Sequence, residues 1–278
     1  MSPPGPTVEP DLEPIRIFVG SGEGSVIERK VLTYSLHKHS TRRLDIRVFN
    51  GTHNTIEHVD GIDPVPLSIR AKYRSGHTEF GLYRYLVSEM CGHSGRAIYL
   101  DSDIVCLSDI AALFDAPIDG ADFAGLPFKT QNDEQLWMTA VMVVDCERTR
   151  FELELIFDEI DRGLYDQGDF MQFSARFLAS HPYRIGSIDS AWNCLDMVNQ
   201  DTKIVHFTNM YTQPWKHRNH PFGAIWFACF QEALAAGWVT DDDVETALRR
   251  SYVRRDLRNA FGSRERLVSR FQRRRLAR

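Results

Sequence analysis

The chain has 278 residues, 43% of them apolar and 26% charged, with a formal net charge of −5. This suits one large globular domain, or one domain with a small appendage, whose core needs no disulfides. The mild negative balance excludes a global basic field for nucleic acid.

In chain order, residues 1–14 hold five prolines and three acids and lack the basic and apolar regions of a signal peptide, so they are predicted to be a disordered lead-in. Ile15 to Gly20 is predicted as the first strand, ending among Gly20, Gly22 and Gly24. Ser25 then caps a helix that packs one face through Val26, Val31, Leu32, Ser35 and Leu36. Leu44–Phe49 alternates like a strand, and 78–90 has helical spacing, with Phe80, Tyr83, Leu86, Val87 and Met90 inward. Arg96–Leu100, Ala121–Leu126 and Ala140–Cys146 are short buried strands. Helices are predicted near Arg148–Arg162 and Asp169–Ser180, and a late strand at Lys203–His206. The apolar stretch Phe222–Val239 is interrupted by Gln231 and Glu232, which favours a packed helix over a membrane span. Asp241, Asp242 and Asp243 suit a helix start.

From Arg249 to Arg278 there are twelve arginines against two acids, Asp256 and Glu265, so the remainder of the chain carries about −15. Leu257, Phe261, Leu267, Val268, Phe271 and Leu276 lie among these arginines. The composition suits a basic amphipathic segment for an anionic membrane surface, or a solvated tail or an oligomer contact. No aromatic platform accompanies the charge, so nucleic acid is not an expected partner. The five cysteines are scattered, which points to reduced core residues of a cytoplasmic protein.

Strands alternating with helices predict an α/β layered domain with a mainly parallel sheet, and in such sheets ligands bind beyond the carboxyl ends of the strands. At one such end stands Ala97-Ile98-Tyr99-Leu100-Asp101-Ser102-Asp103. Carboxylates at i and i+2 share a face and repel each other unless a cation or a proton lies between them. A divalent ion that bridges to phosphate oxygens answers that need. About a hundred residues on, His206 ends the strand Lys203-Ile204-Val205-His206, before Gln213-Pro214-Trp215-Lys216. Two carboxylates and one imidazole make a mixed O/N set that suits Mn²⁺ better than Ca²⁺, with Mg²⁺ an alternative.

Together these pieces resemble glycosyltransferase family eight, a retaining family with the GT-A fold. The resemblance covers roughly Ile15 to Trp215. It includes the first strand, Thr78-Glu79-Phe80-Gly81-Leu82-Tyr83-Arg84-Tyr85-Leu86, the Asp101-Ser102-Asp103 strand, Val141-Met142-Val143-Val144-Asp145, the pair Trp192-Asn193, and the late His and Pro-Trp segment. It implies a GT-A (Rossmann-like nucleotide-diphospho-sugar transferase) domain over 15–218 and a helical C-terminal extension over 219–278. The implied activity is hexose transfer from a UDP-sugar to the hydroxyl of a carbohydrate, glycolipid or protein, in polysaccharide or glycolipid synthesis. The enzyme would be cytoplasmic, or peripheral at the inner membrane face.

In this resemblance Asp101, Asp103 and His206 hold Mn²⁺, and Asp101 also meets the donor ribose, with Ser102 between the two acids. Phe18, Val19 and Gly20 border uracil and ribose, Arg84 lies by the diphosphate or donor sugar, and Trp192, Asn193, Trp215 and Lys216 complete the donor site. Asp166, Gln167 and Asp169 are the implied catalytic or sugar-holding group. Without an obvious carboxylate nucleophile, retention implies attack by the acceptor hydroxyl on the face that UDP leaves. The chain departs from the family at three places. Asn209 and Gln213 stand where the late motif has glycine and lysine, with one extra residue between, so Lys216 becomes the expected diphosphate contact. Met138-Thr139-Ala140 replaces Asn-Ala-Gly. Tyr165-Asp166-Gln167-Gly168-Asp169 matches the family's Asp-Gln-Asp only loosely.

Other readings of the same residues are a haloacid-dehalogenase-like phosphatase with Asp101 as nucleophile, a sugar nucleotidyltransferase, and a non-catalytic sugar-nucleotide-binding module. The first lacks a later acidic pair at a strand end. The second lacks a basic loop after the first strand, where Glu23 stands instead.

Overall fold

The computed structural model describes residues 12–259 apart from 71–72, 74–77 and 79. Nearly all of the expected lead-in and most of the Arg-rich tail lie outside the described residues.

The first strand, β1 (Ile15–Ser21), is buried along almost its whole length, because both faces of the sheet around it are covered. Its alternate side chains enter two different cores. Ile15, Ile17 and Val19 pack with Leu32, Leu36 and Ile98, whereas Phe18 packs with Phe49, Tyr83 and Tyr99. Around β1 lie β2 (Leu44–Asn50) and β5 (Arg96–Asp101), both parallel to it. Outside β2 come β3 (Thr55–His58) and β4 (Val65–Pro66). Outside β5 come β8 (Gln135–Asp145), β7 (Phe123–Lys129) and β9 (Ile185–Ser187). The eight-stranded order is β4-β3-β2-β1-β5-β8-β7-β9. Only β3 and β8 run against the common direction, so the sheet is mixed but mainly parallel. β3, β4 and β9 are too short to show alternation in the sequence.

A second sheet of three strands lies beside the first, in the order β10 (Cys194–Leu195), β11 (Ile204–His206) and β6 (Ile104–Cys106). The helix Val26–His39 is wedged between the two sheets. It gives Leu32 and Leu36 to the large sheet's core, and Ile27 and Val31 to a third core with Val105, Val205, Trp215, Trp226 and Phe230. The sequence predicted a helix that buries one face. The structure buries two, because the helices Gly223–Ala235 and Asp241–Arg249 close over its far side. Thr240 caps the second of these with Asp243 in a reciprocal capping box, as the acidic run suggested. Cys106, Cys146 and Cys229 are buried, and all five cysteines are free thiols. Among the described residues no helix is long and apolar enough to cross a membrane.

Two expected helices are broken. Residues 83–86 form a 3₁₀ turn and 87–90 a single α turn, so Tyr83, Arg84, Tyr85, Leu86 and Val87 are buried in succession instead of along one stripe. The predicted helix 169–180 is two helices, Gln167–Gln172 and Ala175–Ser180, separated by Phe173 with φ +51°. Ser174 caps the second, its hydroxyl accepting from Phe177 N–H. Phe173 is held in its unusual conformation by the aromatic rings of Phe123, Phe170, Phe177 and Tyr183.

Trp226 is 1% exposed and packs against Trp215, Phe227 and Phe230. Trp226→Ala is expected to lower unfolding stability by about 3–5 kcal/mol, as large-to-small core changes do. Urea titration checks this. A loss within error would mean that the C-terminal helices do not share a core with the rest.

Candidate metal centre

β5 lies against β1 in a register that places Asp101 directly beside Gly20, both at the carboxyl ends of their strands. At Ser102 the chain leaves the large sheet, and at Ile104 it enters the small one as β6. β11 runs antiparallel to β6 with His206 opposite Ile104, and Phe207 N–H donates to the carbonyl of Asp103 at 2.9 Å. Asp101, Asp103 and His206 therefore meet where the two sheets join. One ligand atom from each lies within 4.8 Å of the others.

Each member is held by buried neighbours. Arg84 Nη2 donates to both oxygens of Asp101 at 3.0 and 3.2 Å, and the Tyr99 hydroxyl donates to Oδ1 at 2.8 Å. The remaining guanidinium contacts, Nε to the Gly81 carbonyl at 2.7 Å and Nη1 to the Thr139 hydroxyl at 2.8 Å, fix Arg84 in place above the Tyr99 ring. Gly20 is required here: a Cβ on it would lie 2.1 Å from the Tyr99 hydroxyl. His206 Nδ1 pairs with Asn193 Oδ1 at 2.9 Å, which leaves Nε2, 3.0 Å from Asp103 Oδ1, to act as a ligand. Gln213 Nε2 donates to the Phe207 carbonyl at 3.0 Å and to Asp103 Oδ2 at 3.3 Å.

The electrostatics show the conflict among these groups. Burial raises the pKa of Asp101, Arg84 opposes that rise, and Asp103 adds to it, leaving a net increase. Burial lowers His206, but Asp103 and then Asp101 outweigh it, so His206 is held above its ordinary value. Arg84 stays charged, since the Asp101 carboxylate outweighs the cost of burying it.

The residues present fit a divalent cation. Two carboxylates and one imidazole form the donor set, the imidazole is oriented by a neighbouring amide, and two buried amide atoms beside it, Asn193 Nδ2 and Gln213 Oε1, have no hydrogen-bond partner. The Glu28 carboxyl, 3% exposed on the wedged helix, feels the charge of Asp103. Burial pushes it up to about 8, with Lys216 opposing and Asp103 adding, and its Oε2 is unpartnered. Nothing in the sequence marked Glu28, which stands at a position where a first-turn acid is ordinary.

The structure brings Gly20, Arg84, Asp101, Ser102, Asp103, Asn193 and His206 together and corrects other assignments. Trp215 is fully buried against Phe207 and Trp226, and Trp192 is 3% exposed in the core under Lys203, so neither can stack on a sugar. Phe18 and Val19 point into opposite cores, which leaves only their backbone for a base. Asp166 and Asp169 form a reciprocal capping box at the helix Gln167–Gln172, and Asp169 also accepts from the Ser174 hydroxyl, so both acids are engaged in capping. The Gln167 amide faces the thioether of Met171, a weak acceptor, 3.7 Å away. Lys216 is exposed and lines a surface cavity of about 450 Å³ with Gly24, Ser25, His217 and Arg254. Thr139 and Gln213, noted in the sequence only as departures, are working parts of the site.

No family model and no curated protein matches this sequence. Solved structures do. The galactosyltransferase LgtC, in complex with donor and acceptor sugar analogues, superposes with TM-score 0.57 at 10% identity, over 78% of this chain and 96% of LgtC. The bifunctional glycosyltransferase WbbM gives 0.56 at 12% identity, and the glycosyltransferase GlyE of Streptococcus pneumoniae 0.53 at 14%. The match to WbbM covers 81% of this chain but only 51% of WbbM, and that to GlyE 79% and 63%.

The fold is GT-A. It is the fold that the resemblance to family eight implied, and the Asp-Ser-Asp turn of this GT-A chain sits at the junction of its two sheets.

Between the ordinary carboxyl value of 4.5 and about 8, folded Glu28 holds a proton that the unfolded chain releases, so stability falls as pH rises through that window. Each unit of difference is worth about 1.4 kcal/mol. Thermal melts in chelator at the two ends of the window are expected to show wild type losing more stability than Glu28→Gln. Equal losses would mean that Glu28 is already ionised in the fold.

Proposed function

We propose that this chain is a metal-dependent glycosyltransferase that moves a hexose from a UDP-sugar to an acceptor hydroxyl with retention of configuration. The observation that carries the reading is the Asp101, Asp103 and His206 cluster at the carboxyl ends of the parallel strands of a GT-A sheet. Mn²⁺ is the ion best suited to that set, with Mg²⁺ the alternative. The ion supplies Lewis-acid neutralisation of the charge that a departing nucleoside diphosphate gains.

The chain's own residues prepare the site. Arg84 and Tyr99 hold Asp101 in one orientation, and Asn193 holds the ring of His206. The exposed ammonium of Lys216 is the group for the diphosphate. The backbone at the end of β1 borders base and ribose, and Gly20 lets them approach. The helix Gln167–Gln172 packs on β8, with the Met171 side chain beside Gly81. Its Gln167 amide is the side chain we assign to the donor sugar, with Asp166 and Asp169 holding the helix end. Preorganised dipoles of this kind stabilise developing charge without reorganising. The acceptor is a carbohydrate, glycolipid or protein hydroxyl, attacking from the face that UDP leaves. We place the protein in the cytoplasm, with its basic tail suited to an anionic inner membrane face. The phosphatase alternative needs Asp101 free to attack phosphorus, whereas Arg84 and Tyr99 occupy its oxygens.

Calorimetric titration of UDP is expected to show binding with Mn²⁺ that disappears in excess chelator and in Asp103→Ala. Absence of binding in every condition would overturn the reading. Equal binding with and without metal would remove the ion from it.

A further inference from the structure

The segment from Asn193 to Asp196 holds the end of β11 at three points. Asn193 Oδ1 pairs with the His206 ring. Leu195 lies opposite His206 in the parallel ladder of the small sheet, and Asp196 N–H donates to the His206 carbonyl at 2.9 Å. Asp196 takes φ +48°, a left-handed conformation that aspartate tolerates better than most residues. Its carboxylate reaches the stretch after His206. Oδ2 accepts from the Thr208 hydroxyl at 2.5 Å and from Asn209 N–H at 3.0 Å. Oδ1 lies 3.0 Å from Nε2 of the buried His220. His220 Nδ1 accepts from Phe222 N–H at 3.1 Å, so the ring proton is on Nε2 and is donated to Asp196. Phe222 is the N-cap of the helix Gly223–Ala235, which ties this bracket to the C-terminal helices.

The loop after His206 needs such a bracket. Thr208, Asn209, Met210 and Tyr211 are all exposed, so burial of apolar surface does not fix their path. The loop closes on itself through the Asn209 carbonyl, which accepts from Thr212 N–H at 2.9 Å and Gln213 N–H at 3.0 Å. Gln213 Nε2 then returns to the Phe207 carbonyl and to Asp103 Oδ2. Holding Thr208 and Asn209 therefore sets the direction from which Gln213 meets Asp103.

We propose that Asp196 is a positioning residue for the metal centre: by bracing the loop after His206, it sets the geometry of Asp103 and His206 without being a ligand itself. The proposal rests on the reading that Asp101, Asp103 and His206 hold the ion. Partners that orient metal ligands are worth about 10- to 100-fold in metal affinity. The negative charge of Asp196 would attract a cation from any nearby position, so charge and bracing need separating. Thr208 separates them, because losing its hydroxyl leaves the Asp196 charge in place.

Mn²⁺ alone is titrated into the full chain, and the free ion is read by electron paramagnetic resonance. Thermal melts in chelator check that each variant is folded. Asp196→Asn, which cannot accept from both Thr208 and Asn209, is expected to raise the Mn²⁺ Kd about tenfold or more. Thr208→Val is expected to raise it by a smaller factor, and Thr208→Ser, which keeps the hydroxyl, to match wild type. Wild-type affinity in Asp196→Asn or in Thr208→Val, or equal losses in Thr208→Val and Thr208→Ser, overturns the proposal. The Thr208 pair decides the matter alone if Asp196→Asn does not fold. Asp103→Ala distinguishes the two levels of failure. If it abolishes Mn²⁺ binding while the Asp196 and Thr208 variants bind normally, only the bracing role is lost. If wild type binds no Mn²⁺, or binding survives Asp103→Ala, the metal centre itself is wrong and this proposal falls with it.

Discussion

Two carboxylates and a histidine held within 4.8 Å of one another, half-buried at a junction of sheets, need compensating positive charge. The protein supplies part of it from one side. Arg84 lies beneath Asp101, fixed by Gly81 and Thr139 and stacked over Tyr99. A buried guanidinium costs desolvation energy that a paired carboxylate offsets only when the remaining donors are satisfied. Every part of that local arrangement serves this condition. The 3₁₀ turn draws Arg84 inward, Thr139 accepts its second branch, and the bare α-carbon of Gly20 leaves room for the Tyr99 hydroxyl. Asp103 has no guanidinium partner and lies 3.0 Å from His206 Nε2. The negative charge left over on that side is the reason for assigning an ion there.

The same junction explains the layering. β5 belongs to the large sheet and β6 to the small one, so Asp101 and Asp103 are carried by different sheets although they are almost adjacent in sequence. Their relative position is therefore only as firm as the packing between the sheets. The helix Val26–His39 provides that packing, with the C-terminal helices completing its outer side. Those helices contribute no side chain to the cluster but are part of what holds it in place. Trp215 belongs to this support: it fills the core behind the late motif, while Gln213 two residues before it reaches Asp103.

Much of this was legible in the sequence. The apolar run into Asp101-Ser102-Asp103 gave the strand, its end and the paired acids. The Lys203–His206 run gave the third member of the cluster, because a buried strand projects its last polar residue at the rim. Burial was less legible. Tyr83 to Val87 has helical spacing, but tertiary packing overrides it and buries five residues in succession. Phe173 breaks a helix because aromatic neighbours select its conformation, and no local propensity encodes that. Trp192 and Trp215 stand beside motif residues in sequence, yet large aromatic side chains fill cores more readily than they line sites. Asp166 and Asp169 had the spacing of a capping pair, which the acidic composition obscured. The burial of Glu28 could not be foreseen, since it arises from segments far apart in sequence.

Asp101, Asp103 and His206 are assigned here to one divalent ion. Crystals grown with Mn²⁺ and UDP test that assignment most directly, through anomalous scattering measured near the manganese edge. A single strong anomalous peak within coordinating distance of all three side chains is expected. A peak elsewhere, or none at this junction with UDP bound, would contradict it.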